Sequence, residues 1–334
     1  MNIRDHISLK PYNTFGIEGY AGHFAEIHSL ADLEEAGRLP YPRYVLGGGS
    51  NILLTQPVTG IVLHNCLKGK AEIQEDDNHI WLEVQAGEIW HELVMYTIAN
   101  GWGGLENLAL IPGTVGASPM QNIGAYGVEA KDTIESVSCW LWDEGKLITL
   151  SNDECRFGYR DSIFKNGLKD KVFITSVVYK LSKKPVFNTS YGAIEQELQA
   201  MGVTSVSVEA IAAAVIRIRT SKLPDPKEIG NAGSFFKNPT IPVAQYEALK
   251  AEYPVIPCYI VSNKMVKVPA GWLIEQCGWK GYRAGALGVH ARQALVLVNY
   301  GGAAGADIWH LSGEIVQSVH TKFGIDLERE VQVW

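Results

Sequence analysis

The stretch from Gly101 to Gly127 constrains this chain more than any other segment. Long loops without regular structure are uncommon in compact domains unless they serve a site. Here Ile111-Pro112-Gly113-Thr114-Val115-Gly116-Ala117-Ser118-Pro119 runs into Met120-Gln121-Asn122-Ile123-Gly124-Ala125-Tyr126-Gly127. Glycines let backbone N–H groups approach an anion closely, and successive N–H groups form anion-binding nests. Thr114 and Ser118 add hydroxyl donors, and Gln121 and Asn122 add amides suited to the edge of a heterocyclic ring.

A second glycine cluster, Gly47-Gly48-Gly49-Ser50-Asn51, follows the short apolar run Tyr44-Val45-Leu46. It has no third glycine at the dinucleotide-fold spacing, no acidic residue for a ribose, and no Gly-Lys-Ser/Thr for a P-loop. Alone it reads as a tight strand-to-turn connection. Beside the longer stretch it reads as the other half of a pyrophosphate bracket, with Ser50 as a further donor.

Between these landmarks the pattern is mixed α and β. Residues 29–37 predict a helix with Ser29 as N-cap and Gly37 at its end. Strands are predicted at 44–46, 61–64, 80–84, 136–142, 147–150, 172–181 and 294–299. Residues 88–100 place Trp90, Leu93, Val94, Thr97 and Ile98 on one helical face. Further helices are predicted at 207–219 with Ser207 as N-cap, and near 241–252, 269–277 and 305–323. Leu223-Pro224-Asp225-Pro226 marks a boundary. The segment after Gly69 predicts a mainly antiparallel sheet, and the segment before it a small α/β unit.

Bulk properties exclude several classes. The chain has 334 residues and a formal charge of −7, which argues against nucleic acid as a partner. Five scattered cysteines without a C-x-x-C pair argue against a disulfide framework or structural zinc. The first residues carry no apolar h-region and no run is long enough to span a bilayer, so a cytoplasmic protein is expected. No hydrolase elbow or H-E-x-x-H is present. His64 and His290 read as core or loop residues, and no metal site is expected.

Three polar residues stand in pointed contexts. Arg160 lies in Phe157-Gly158-Tyr159-Arg160-Asp161-Ser162, where a surface ion pair is the plainer explanation. Ser234 lies in Asn231-Ala232-Gly233-Ser234-Phe235-Phe236-Lys237-Asn238-Pro239, which suggests either a buried, positioned hydroxyl or a cap. Glu330 lies in Leu327-Glu328-Arg329-Glu330-Val331, where a surface charge is the plainer reading.

Together these motifs, with Arg219-Thr220-Ser221-Lys222-Leu223-Pro224-Asp225-Pro226, resemble the UDP-N-acetylenolpyruvoylglucosamine reductase family from Asn13 to Val331. Ser190-Tyr191-Gly192 is similar to the tyrosine loop of its type I branch. The resemblance implies an α+β protein: an FAD-binding domain of the p-cresol methylhydroxylase/vanillyl-alcohol oxidase type in two subdomains, 1–68 and 69–220, and a substrate-binding domain at 221–324. The tail 325–334 would pack back on the first subdomain. The resemblance implies FAD bound non-covalently at Gly47, Gly48, Gly49, Ser50, Asn51, Ile111, Pro112, Gly113, Thr114, Gly116, Ala117, Ser118, Gln121, Asn122, Gly124, Ala125 and Tyr126. It implies Arg160, Ser234 and Glu330 as catalytic, and Tyr191, Lys222 and Asn238 as holding the UDP moiety, with Tyr126 and Tyr159 as candidates beside them. Position 329 is arginine where the family pattern leads one to expect proline, which leaves Glu328 as an alternative to Glu330.

The implied reaction is NADPH-dependent reduction of UDP-N-acetylglucosamine enolpyruvate to UDP-N-acetylmuramate, with hydride from reduced flavin and a proton from Ser234. Lys222, together with Arg219 and Lys237, could offset the diphosphate, although Arg217 and Arg219 read more plainly as a solvated basic face. A monomer is expected. The competing expectations are a flavin oxidase of the same fold and a UDP-sugar binding module without chemistry.

Overall fold

The computed structural model describes residues 1–334, which divide into two units. The first comprises residues 1–7, 21–48 and 58–221; the second comprises 8–20, 49–57 and 222–334. The chain therefore leaves the first unit twice before it crosses for good between Ser221 and Lys222.

The first unit contains two large sheets and the small pair Gly124–Ala125 with Val128–Glu129. One is ordered Ile3–Ser8, Tyr20–Ile27, Val58–Asn65, Arg43–Leu46, and its last three strands run parallel. Parallel strands need a crossover, and the helix Leu30–Gly37 supplies it. Ser29 Oγ accepts from the Asp32 backbone N–H, and Asp32 accepts from the Ser29 N–H, so two of the orphan donors at this helix start are satisfied. Leu33 and Ala36 then pack on Ala25, Ile27, Ile61 and Leu63.

The other sheet is antiparallel throughout: Lys146–Ser151, Ile134–Leu141, Val172–Ser182, His79–Gln85, Lys70–Glu75. In His79–Gln85 every second residue is buried, and Ile80, Leu82 and Val84 face the core. Trp90, Leu93, Val94 and Ile98 of the helix Trp90–Ala99 join the same core. Trp90 lies edge-on to Tyr179 and donates its indole N–H to Leu108 O at 3.0 Å. Burying a side chain of this size stabilises by roughly 2–3 kcal/mol, so the helix that precedes the long glycine stretch is firmly seated. The helices Gly192–Ala200 and Val208–Lys222 pack against this core through Ile194, Leu198, Ile211 and Val215.

The second unit holds a sheet ordered Gly230–Asn231, Leu297–Asn299, Leu287–Val289, Arg283–Ala284, and a three-stranded sheet of Thr240–Pro242, Met265–Lys267 and Tyr259–Ile260. Helices Val243–Glu252, Ala270–Gln276 and Gly305–Phe323 complete it. The two early excursions belong here for visible reasons. Phe15 O accepts from Asn299 Nδ2 at 2.9 Å, and a Cβ on Gly230 would lie 2.2 Å from that oxygen. Ile52–Leu53 pairs in parallel with Gln332–Val333 of the tail.

Candidate active site

The two glycine loops of the first unit touch. A Cβ on Gly48 would lie 2.9 Å from Gly113 Cα, and one on Gly47 would lie 2.6 Å from Thr114 Oγ1. Only residues without side chains permit that approach. Gly49 is fixed differently: its φ is +61°, and a Cβ there would lie 1.9 Å from Tyr12 O. The three glycines are thus required for three separate contacts.

The longer loop is anchored to the end of strand His79–Gln85. Gly116 N–H donates to Ala86 O, Val115 N–H to Glu88 O, and Trp90 N–H to Gly113 O. The N–H groups of Ala117 and Ser118 close a turn on Thr114 and Val115. This narrows the expected nest, because the donors of residues 115–118 hold the loop itself. The Ser118 side chain is likewise engaged within the protein. Its hydroxyl is fully buried, donates to Val115 O, and meets Tyr179 Oη at 2.7 Å. The Asn122 side chain is engaged within the protein. Its amide donates to Glu129 and to Gly158 O and accepts from Lys131 N–H, so it ties three segments together. These bonds satisfy the buried side-chain amide within the protein.

That tie positions Arg160. Gly158 and Asp161 exchange two backbone hydrogen bonds across a tight turn. Arg160 sits in it at φ +54° and donates to Gly124 O at 2.7 Å, with its guanidinium over the Tyr159 ring. Leu110, Asn122 and Tyr126 also have positive φ, at +59°, +47° and +50°. Non-glycine residues in this region cost energy and concentrate at functional sites. Asp161 accepts from Asn166, and Arg160 points its donors at the glycine loop.

Arg219 was underread in the sequence. Arg217 is exposed and pairs with Glu197 at 2.7 Å, as a solvated face would have it. Arg219, two residues on, turns inward, and its buried Nε has no hydrogen-bond partner. It bonds to Tyr126, whose phenol is pushed above its ordinary value by burial. The signal available was helical phase: residues 211, 212, 215, 218 and 219 fall on one side of the helix.

His91 lies nearby, and its Nδ1 accepts from Leu110 N–H at 3.0 Å. Burial, with Arg219 second, pulls its imidazole below the usual value. The unfolded imidazole therefore takes a proton first as pH falls, which favours unfolding. The urea midpoint should drop as pH is lowered from about 7.5 to about 5.5, across the ordinary histidine range. His91→Gln should flatten part of that drop.

Tyr191 stands just before the helix Gly192–Ala200, which the sequence pattern did not reveal, and meets Tyr126 edge-on at 5.4 Å. Asn107 donates to Tyr126 O and Asn188 O, and so holds the two tyrosine loops together.

In the second unit Ser234 and Glu330 lie on adjacent backbone. Glu330 N–H donates to Phe235 O at 2.8 Å, and Asn51 Nδ2 donates to Glu330 O. Ser234 is exposed, contrary to the buried hydroxyl considered from its neighbours. Gly233, at φ +69°, turns the chain so that Phe235 and Phe236 enter the core and the serine does not. Glu328 forms an ion pair with Lys237, which engages both the alternative glutamate and a cation expected for the diphosphate. Arg329 stacks on Trp309 at 4.0 Å and donates to Ser312, which fixes the tail without a proline. Asn238 Oδ1 accepts from Ala270 N–H at a helix start, and Lys222 is exposed at a helix end. Arg160 thus belongs to one unit, and Ser234 and Glu330 to the other.

Residues 25–151 match the family described as an FAD binding domain, and residues 225–334 match the C-terminal domain of UDP-N-acetylenolpyruvoylglucosamine reductase. The chain is 51% identical to the UDP-N-acetylenolpyruvoylglucosamine reductase of Flavobacterium johnsoniae, covering 100% of both chains. It is 49% identical to the enzyme of that name from Chromobacterium violaceum, covering 99% of this chain and 98% of the other. Its structure is similar to the crystal structure of UDP-N-acetylenolpyruvylglucosamine reductase from Thermus caldophilus, with a TM-score of 0.70, 26% identity and full coverage of both chains. These relatives give no support to the oxidase or the inert binding module. No helix is long and apolar enough to cross a membrane.

Proposed function

We infer, for a chain that belongs to the UDP-N-acetylenolpyruvoylglucosamine reductase family, how its own residues perform the reduction. The protein is an FAD-dependent oxidoreductase that uses NADPH and serves peptidoglycan precursor synthesis. The substrate assigned to it is UDP-N-acetylglucosamine enolpyruvate.

The residues present fit FAD. The side-chain-free approach of Gly47 and Gly48 to Gly113 and Thr114 leaves a backbone-lined cradle, and the buried Arg219 Nε offers an unsatisfied cationic donor next to Tyr126, at the end of the same glycine stretch. A buried guanidinium with one N–H left unpaired is costly, and a diphosphate would relieve that cost. Bound flavin supplies hydride transfer from NADPH to the terminal vinyl carbon of the enol ether.

The rest falls to the chain. As the double bond is reduced, negative charge grows on the adjacent carbon and spreads into the carboxylate. Arg160, held by its strained turn, supplies the cation for that charge. One preorganised donor is worth about 3–4 kcal/mol. Glu330 assists from the tail. Ser234 gives its hydroxyl proton to the carbon next to the carboxylate, which completes the C–H pair. Tyr191, Lys222 and Asn238 hold the UDP group, with Tyr126 and Tyr159 beside them. On this reading 1–68 and 69–220 carry FAD, 221–324 carries substrate, and the protein acts as a cytoplasmic monomer.

The observation that carries the cofactor assignment is the unpaired, buried Nε of Arg219. Arg219→Met should weaken FAD binding to the apoprotein at least tenfold, or 1.4 kcal/mol, while the apoprotein becomes no less stable. Flavin fluorescence titration and urea unfolding read the two effects. Equal FAD affinity in parent and variant would remove Arg219 from the site. For the reaction as a whole, NADPH oxidation must depend on added UDP-N-acetylglucosamine enolpyruvate.

A further inference from the structure

Two neighbouring parallel strands bring metal-ligating side chains to one face of the first sheet. Residues two apart on a strand share a face. Glu26 and His28 are so spaced at the end of Tyr20–Ile27, and His64 and Cys66 at the end of Val58–Asn65. The register sets Glu26 opposite His64 and Ile27 opposite Asn65, and Cys66 N–H continues it by donating to Ile27 O. The alternating residues Ile27 and Asn65 are buried. One ligand atom from each of Glu26, His28 and Cys66 lies within 4.8 Å of the other two. Glu26 Oε2 is 3.3 Å from His28 Nε2, and Cys66 Sγ is 3.3 Å from His64 Nδ1.

We propose that Glu26, His28 and Cys66 bind a divalent transition-metal ion of the zinc class, with His64 Nδ1–H donating to the coordinated sulfur. Zinc takes sulfur at about 2.3 Å and nitrogen or oxygen at about 2.0–2.2 Å. Ligands on such an ion stand roughly 3.3–3.8 Å apart in a tetrahedron, so a closure of about 1 Å completes the site. His28 is exposed and Glu26 is half-exposed, which leaves both side chains room to move. A mixed sulfur, nitrogen and oxygen set suits zinc, whereas magnesium and calcium prefer oxygen alone. Binding sends the thiol proton to solvent. Arg4 holds the other oxygen of Glu26 at 3.1 Å, so the ion takes Oε2 and water fills the fourth position. None of these residues has a part in the reduction. The sequence hides the site because E-x-H and H-x-C are separated by a helix and two strands and meet only through the parallel register.

The test uses the full-length, flavin-loaded protein after treatment with a chelator. Calorimetric titration with Zn²⁺ should show one ion per chain. Co²⁺ should give a thiolate charge-transfer band in the difference spectrum. Cys66→Ser should abolish that band, and Cys66→Ser and His28→Ala should each weaken Zn²⁺ at least tenfold, a loss that even indirect partners of a metal can produce. Cys277→Ser, at a half-buried thiol of the second unit, should change neither. Flavin content reports that each variant is folded. Absence of the cobalt–thiolate band, or unchanged Zn²⁺ affinity in the two ligand variants, overturns the site.

Discussion

Ser234→Ala should leave reduction of the bound flavin by NADPH within about twofold of the parent, while reoxidation by the enolpyruvyl substrate falls by about 10²- to 10⁴-fold, the range of a lost general acid. The asymmetry follows from where the proton is needed. Flavin reduction requires nothing of the hydroxyl, but the substrate carbon stays unprotonated without it. The substitution is structurally mild, because Ser234 is exposed while its neighbours Phe235 and Phe236 carry the packing. Stopped-flow absorbance separates the two half-reactions. Ser234→Cys should recover part of the second rate, since a thiol is also a proton donor. Equal slowing of both halves would mean that the serine shapes the site and does not protonate anything.

The residues legible in the sequence are those whose role is local. Ser29 and Ser207 cap helices that begin one residue later, and Gly47 to Gly49 announce a close approach before its partner is known. What the sequence concealed depends on distant partners. The strand Tyr20–Ile27 has no strong alternation of its own and is defined by pairing with Val58–Asn65. The side chain of Asn122 bonds Glu129, Lys131 and Gly158, partners that its own sequence context does not announce. Arg217 and Arg219 look alike in a list of charges, and only helical phase sends one to solvent and the other inward. Residues 8–20 and 49–57 join the C-terminal unit through Phe15, Ile52 and Leu53, a grouping that chain order cannot show.

Gly48→Ala should produce protein that is largely colourless on purification, with FAD affinity lowered at least tenfold. The added methyl would sit 2.9 Å from Gly113 Cα, and backbone atoms on both sides cannot yield as a flexible side chain would. The two loops must part, and the cradle proposed for FAD parts with them. The comparison that gives this result meaning is Gly145→Ala. Gly145 has φ +60° with nothing within 4 Å of its added Cβ, so alanine there should cost about 1–2 kcal/mol of stability through left-handed strain and leave flavin affinity intact. One glycine is needed for space and the other for backbone conformation, and flavin titration beside urea unfolding tells them apart. If Gly48→Ala retains flavin as the parent does, the close approach of the two loops has no part in holding the cofactor.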